Sequence, residues 1–169
     1  CDEAELRAAF TPRTRALILN TAPNPTGKVF TRAELGLIAS LCIEHDAIVI
    51  ADEVYERLTF DPARPHVSIA DIPGMAERSL VCSSLGKTFS LTGWKIGWVI
   101  APAHLSAGVR AAHQFLTFTT APNLQAAVPY GLGKEDAYFE AMRADFARSR
   151  DHLAEGLTLA GFAVLPAEG

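Results

Sequence analysis

The run AIVIA at 47–51, followed at once by Asp52-Glu53-Val54-Tyr55, limits this chain more than any other feature. Five small or β-branched apolar residues are too few for a helix and suit a strand covered on both faces. Strands of that kind belong to parallel sheets, which hold their ligands in the loops at the strands' carboxyl ends. Two further runs share the form. RALILN at 15–20 reads as a buried strand and gives way to Thr21-Ala-Pro-Asn-Pro-Thr-Gly27, a shaped loop dense in breakers. SLVC at 79–82 reads as the next strand and runs through Ser83 and Ser84 to Gly86-Lys87-Thr88.

Helical patterns separate these strands. Residues 2–10 have the cap and spacing of a short helix, and Thr31 with Glu34 makes a capping box for one reaching about His45. A strand is expected at 96–101, a helix from Pro102 to about Phe118, and another at 122–132. From Glu135 to about Ala160, Phe139, Met142, Phe146, Leu153 and Leu157 recur at helical spacing, over a length that suits a helix crossing between domains. The alternation implies an α/β fold with a doubly wound, mostly parallel sheet. The first residue is not methionine, and GFAVLPAEG at 161–169 reads as a strand just begun, so the chain is expected to be a piece of something longer.

Composition narrows the function. With 15 Lys and Arg against 19 Asp and Glu, and no basic stripe, a nucleic-acid partner is not expected. Cys1, Cys42 and Cys82 form an odd set, and the last two sit in apolar runs, which suits reduced core thiols better than disulfides or a metal site. No apolar run approaches bilayer length and no signal peptide opens the chain, so a soluble, cytoplasmic protein without a membrane partner is expected.

The strand ends carry Asn24, Asp52, Tyr55, Ser84 and Lys87, and Lys95 follows one strand later. Singly, each has a plain structural explanation: a turn, a helix cap, a ring with a wet hydroxyl, a strand-end hydroxyl, two surface lysines. Jointly they supply what pyridoxal 5'-phosphate requires. Burial lowers the pKa of an amine, and a neutral Lys87 amine can form a Schiff base. A carboxylate keeps the pyridine nitrogen protonated, and at roughly 4 Å with an effective dielectric near 20 that pairing is worth about 4 kcal/mol before desolvation. Asp52 is the candidate. Tyr55 and Asn24 can donate to the ring oxygen, and Ser84 with Lys95 can hold a phosphate. Lys87, once displaced by substrate, is an amine placed to carry a proton.

APNPTGKVF, IVIADEVYERLTF and SSLGKTFSLTGWKIGW resemble, in order, the successive signatures of the class I/II aminotransferases, the fold-type-one pyridoxal-phosphate enzymes. The resemblance implies that Lys87 is the Schiff-base lysine, Asp52 the pyridine partner, Tyr55 and Asn24 the ring-oxygen ligands, and Ser84 and Lys95 the phosphate ligands. It makes 1–133 part of the cofactor-binding large domain, and 134–169 the interdomain helix and the start of the small domain. Its substrates would be an amino acid and a 2-oxo acid, and its assembly a homodimer. Many relatives have arginine where this chain has Lys95, which keeps the charge and loses the bidentate fork. The GWKxGW form, with HQFLTFTTAPNLQAA downstream, is similar to the kynurenine, glutamine and methionine aminotransferase branch. This favours donors with aromatic or sulfur-bearing side chains, and some members of the branch also cleave cysteine conjugates. In that branch an aromatic at the position of Phe118 reaches the partner subunit's substrate pocket, although a phenylalanine there also suits a core.

The family's glycine-rich phosphate loop, ring-stacking aromatic and carboxylate-binding arginine have no visible counterpart here. Arg143, Arg148 and Arg150 read as a solvated helix face, and these residues alone are expected to be inactive. A P-loop hydrolase is the rival from another class, but G-x-x-x-x-G-K-[ST] needs glycine where Val81 stands. A non-catalytic module of the same fold and a β-eliminating lyase share the residues above, and the sequence leaves both open.

Overall fold

The computed structural model describes residues 2–169, so Cys1 lies outside it. Strands β1 (Ala16–Asn20), β2 (Ile48–Asp52), β3 (Ser79–Ser84) and β4 (Gly97–Ile100) form one sheet in that order. The first three are parallel and β4 closes the edge antiparallel to β3. The register sets Asn20, Asp52 and Cys82 abreast, so three strands deliver their carboxyl ends to one level. The chain is therefore α/β with a mostly parallel sheet, as its pattern implies.

One face of the sheet is packed. Helix α1 (Glu3–Ala9) opens the chain, and α2 (Arg32–Glu44) connects β1 to β2. Leu35, Ile38, Leu41 and Cys42 of α2 lie in one core with Leu19, Val49, Ala51, Val81, Ile69 and Met75. Strand residues enter it at every second position, the period of the pleat. Ala47, Val49 and Ala51 are fully buried, whereas Ile48 and Ile50 on the opposite face are only half-buried and Ile18 is 76% exposed. The expectation of strands covered on both faces thus holds fully for one face and in part for the other, where Leu80 is buried but Ile18 is open. Burial pushes the Cys42 thiol up to about 11, against the pull of Arg78, and both Cys42 and Cys82 are free.

The start of α2 is built as its sequence dictates. Thr31 Oγ1 accepts from the Glu34 amide at 3.2 Å, and the Glu34 carboxylate accepts from the Thr31 amide at 2.9 Å. Lys28 Nζ reaches the same carboxylate at 2.8 Å. Partial burial raises the Glu34 pKa, but the Lys28 and Thr31 hydrogen bonds overcome it and bring it down to about 2.

Three elements depart from the sequence reading. Lys87 lies in a short helix, α3 (Leu85–Thr88), rather than a loop, because Ser84 Oγ accepts from the Gly86 amide at 3.2 Å and caps it. After α4 (Ala103–Leu116), the single helix expected at 122–132 is two, α5 (Pro122–Gln125) and α6 (Ala127–Leu132). Pro129 has no N–H to offer the Gln125 carbonyl, which breaks the ladder at that point. Beyond α7 (Asp136–Leu159), the expected strand at 161–169 is absent. That segment instead docks irregularly: the Glu168 and Gly169 amides both donate to the Gly27 carbonyl, at 2.7 and 3.0 Å. Gly27 has φ +62°, and a Cβ there would come within 2.7 Å of the Gly169 carbonyl oxygen, so the contact needs glycine.

Candidate active site

The end of β2 is held from both neighbouring strands. The Asp52 carbonyl accepts from the Thr21 amide at 3.0 Å and from Asn20 Nδ2 at 3.2 Å, and the Glu53 amide donates to the Cys82 carbonyl at 2.9 Å. The Asp52 side chain lies at the exposed rim, where Oδ1 accepts from the Val54 amide at 3.3 Å. A tight turn follows, closed by Glu56 N–H to the Glu53 carbonyl at 2.9 Å, and it brings Tyr55 round half-buried. Lys87 comes from the next strand's end, with Nζ 5.8 Å from the centroid of the Tyr55 ring, within cation–π range. Asn24 and Tyr55 share a cavity of about 220 Å³ with Ala22, Gly27, Leu58 and Gly169. Asn24, Asp52, Tyr55, Ser84 and Lys87 therefore all sit on loops or ends at the carboxyl side of β1–β3.

Lys95 lies next to the Ser84 end of that cluster, since the Leu85 amide donates at 3.2 Å to the carbonyl of Ile96, the residue after Lys95, whereas Phe118 lies elsewhere. Lys95 is exposed and ends a 3-10 turn over Thr92–Trp94 in a left-handed backbone, φ 55°. Such a conformation costs a non-glycine residue about 1 kcal/mol, a feature common where geometry serves a site. Phe118 is 77% exposed and lines a different groove, beside Gly97, Trp98 and His113. The core alternative for Phe118 is therefore not what the fold shows. Nor is Lys87 buried: it is exposed on a rim that the described residues leave open.

The electrostatics of the rim register on Cys82, abreast of Asp52. Its thiol is pushed up by burial first, and then by the negative charges of Asp52 and Glu53. Among the described residues no group of His, Cys, Asp and Glu could hold a metal ion. No helix among them is long and apolar enough to cross a membrane.

The family model for aminotransferase class I and II matches residues 1–169. The chain belongs to that family. It is 51% identical over 163 residues to a probable N-succinyldiaminopimelate aminotransferase, DapC, of Mycobacterium tuberculosis, covering 96% of this chain and 41% of that protein. It is 44% identical over 175 residues to human kynurenine–oxoglutarate transaminase 1, covering 99% of this chain and 41% of that protein. The solved structure of N-succinyldiaminopimelate aminotransferase from Mycobacterium tuberculosis superposes with a TM-score of 0.96 at 49% identity, over 100% of this chain and 44% of that one. The chain thus spans about two-fifths of the length of the curated relatives it matches.

Membership of this family removes the P-loop reading. Class I and II aminotransferases use pyridoxal 5'-phosphate, and the donor set at the rim fits it by chemistry: an amine, a carboxylate, a phenol, an amide and a hydroxyl on adjacent strand ends. Glu53, two residues from Tyr55, went unremarked in the sequence. Its signal was present, for it continues the inward-facing series Val49, Ala51, and a carboxylate at a core position demands partners.

Proposed function

We propose that the full-length protein is an aminotransferase that moves an amino group from an amino acid to a 2-oxo acid, with Lys87 as the residue that holds the cofactor covalently. What carries the reading is the approach of Lys87 Nζ to the Tyr55 ring at 5.8 Å, beside the strand end that bears Asp52. Pyridoxal phosphate supplies an electron sink, which makes the hydrogen on the substrate's Cα removable.

The residues divide the remaining work. Asp52 keeps a proton on the pyridine nitrogen, and the Tyr55 hydroxyl and Asn24 amide donate to the ring oxygen. Ser84 and Lys95 bind the phosphate, with Lys95 acting as a point charge. The Lys87 amine, once free, would be the group that moves the proton at the substrate's Cα. Residues 1–133 belong to the cofactor-binding domain and 134–169 begin the smaller one. The active assembly is a cytoplasmic homodimer, in which Phe118 projects toward the partner's substrate pocket, in keeping with its exposure.

The donor is an amino acid with an aromatic or sulfur-bearing side chain, a choice supported by the likeness to kynurenine–oxoglutarate transaminase 1 at 44% identity. A second reading has its own support: the likeness to DapC, at 51%, favours a succinylated diamino acid. Assaying both donors against one oxo acid separates the two.

Borohydride reduction of the cofactor-loaded full-length protein tests the assignment. We expect the cofactor to be fixed to the peptide containing Lys87 and to no peptide in Lys87→Ala. Fixation at another lysine, or undiminished fixation in the variant, overturns it.

A further inference from the structure

Glu53 is the one carboxylate in the buried polar set of this chain's described residues, 1% exposed and directly after Asp52. Its oxygens accept from three groups of one short segment. Ser68 Oγ and the Ile69 amide reach Oε1 at 3.0 and 3.1 Å, and His66 Nε2 lies 2.8 Å from Oε2. Its main chain is fixed as firmly, since its N–H donates to Cys82 and its carbonyl accepts from Glu56.

The expense of this arrangement is the argument. A carboxylate withdrawn from water is costly even when fully paired, and an apolar side chain of similar volume would stabilise such a site at least as well. What a satisfied polar network adds is a single geometry. The three acceptor bonds tie the residue between Asp52 and Tyr55 to 66–69, a segment that the core holds through the fully buried Ile69. Asp52 is itself exposed, with the Val54 amide on its carboxylate, so its direction is set largely by the backbone that Glu53 anchors.

We propose that Glu53 is a positioning residue: through its bonds to His66, Ser68 and the Ile69 amide it aims Asp52 and Tyr55 at the cofactor. This rests on the site roles assigned above to Asp52 and Tyr55. Glu53 touches neither substrate nor cofactor.

The test uses the cofactor-loaded full-length protein and its Glu53→Gln variant, with the visible circular dichroism of the bound cofactor as a readout of ring orientation. Misplacement by about 1 Å can cost up to about 10²-fold in rate. We therefore expect kcat to fall at least tenfold, KM to move less than threefold, and the dichroism per bound cofactor to shrink. Glu53→Asp, which restores the charge on a shorter arm, should recover part of both signals. Loss of thermal stability with kcat and dichroism within twofold of wild type makes Glu53 merely structural and overturns the proposal. If Glu53→Gln does not fold, Ser68→Ala removes one bond from the same carboxylate; unchanged kcat and dichroism there overturn it equally. A wild-type protein that fixes no cofactor on Lys87 sinks the site assignment and the positioning role with it. A normal wild type with unaffected variants sinks the positioning role alone.

Discussion

Asp52 is where charge and geometry separate most cleanly. Asp52→Asn keeps the shape and removes the charge. On the proposed roles, the cofactor should stay bound, since Lys87, Ser84 and Lys95 are untouched, while the pyridine nitrogen would lose the group assigned to keep it protonated. A pair worth at most about 4 kcal/mol at roughly 4 Å corresponds to three orders of magnitude in rate, and exposure of the rim lowers that figure. A drop of about 10²-fold in transamination at normal cofactor content is the expected outcome, measured by turnover per bound cofactor. Turnover within a few-fold of wild type shows that another group protonates the ring. At this scale the placement was legible in advance: Asn24, Asp52, Tyr55, Ser84 and Lys87 lie at the carboxyl side of β1–β3, where parallel sheets hold their ligands. Glu53 was not singled out, since its three partners at 66–69 come from a loop whose path no periodicity announces.

Among the elements, α2 shows how far local rules reach. Thr31, Glu34 and the apolar positions Leu35, Ile38, Leu41 and Cys42 fix its start and its buried face without reference to the rest of the chain. The α5–α6 break is equally local, since the missing donor at Pro129 overrides the continuous apolar pattern across 122–132 from which a single helix is expected. Exposure of the second sheet face is the contrary case, since cover for a strand comes from residues distant in sequence. The cap itself makes a prediction about pH. Glu34 has its folded pKa lowered from 4.5 to about 2, so its contribution is complete above about pH 4.5 and is lost as pH falls through about 2. The contribution is at most about 3 kcal/mol, shared with the Thr31 cap, whose removal alone costs about 1 kcal/mol. Amide hydrogen exchange across Arg32–Glu44 should therefore be faster in Glu34→Gln than in wild type at pH 6, and the gap should narrow by pH 3. A gap independent of pH would assign the stabilisation to packing rather than to the carboxylate.

Across the molecule, the balance of covered and uncovered apolar surface decides behaviour. The core gathers on the α2 side of the sheet, whereas Ile18 and Val99 lie open on the strands and Ile100 at the sheet edge. Phe115 and Leu116, at the end of α4, are 87% and 82% exposed, with Phe118 just beyond them. Soluble monomers rarely leave apolar patches of this kind uncovered, and at about 25 cal/mol per Å² a few such side chains suffice to drive association. The 169-residue chain expressed by itself should therefore bind an apolar-surface dye strongly and associate with rising concentration, as read by light scattering. The full-length protein should show far weaker dye binding. Phe115→Glu with Leu116→Lys tests the location: both changes sit on exposed positions, so they should lower dye binding and association without loss of helix content. A lone chain that stays monomeric and dye-silent at high concentration would mean that the α4 end and the open sheet edge find cover within these residues themselves.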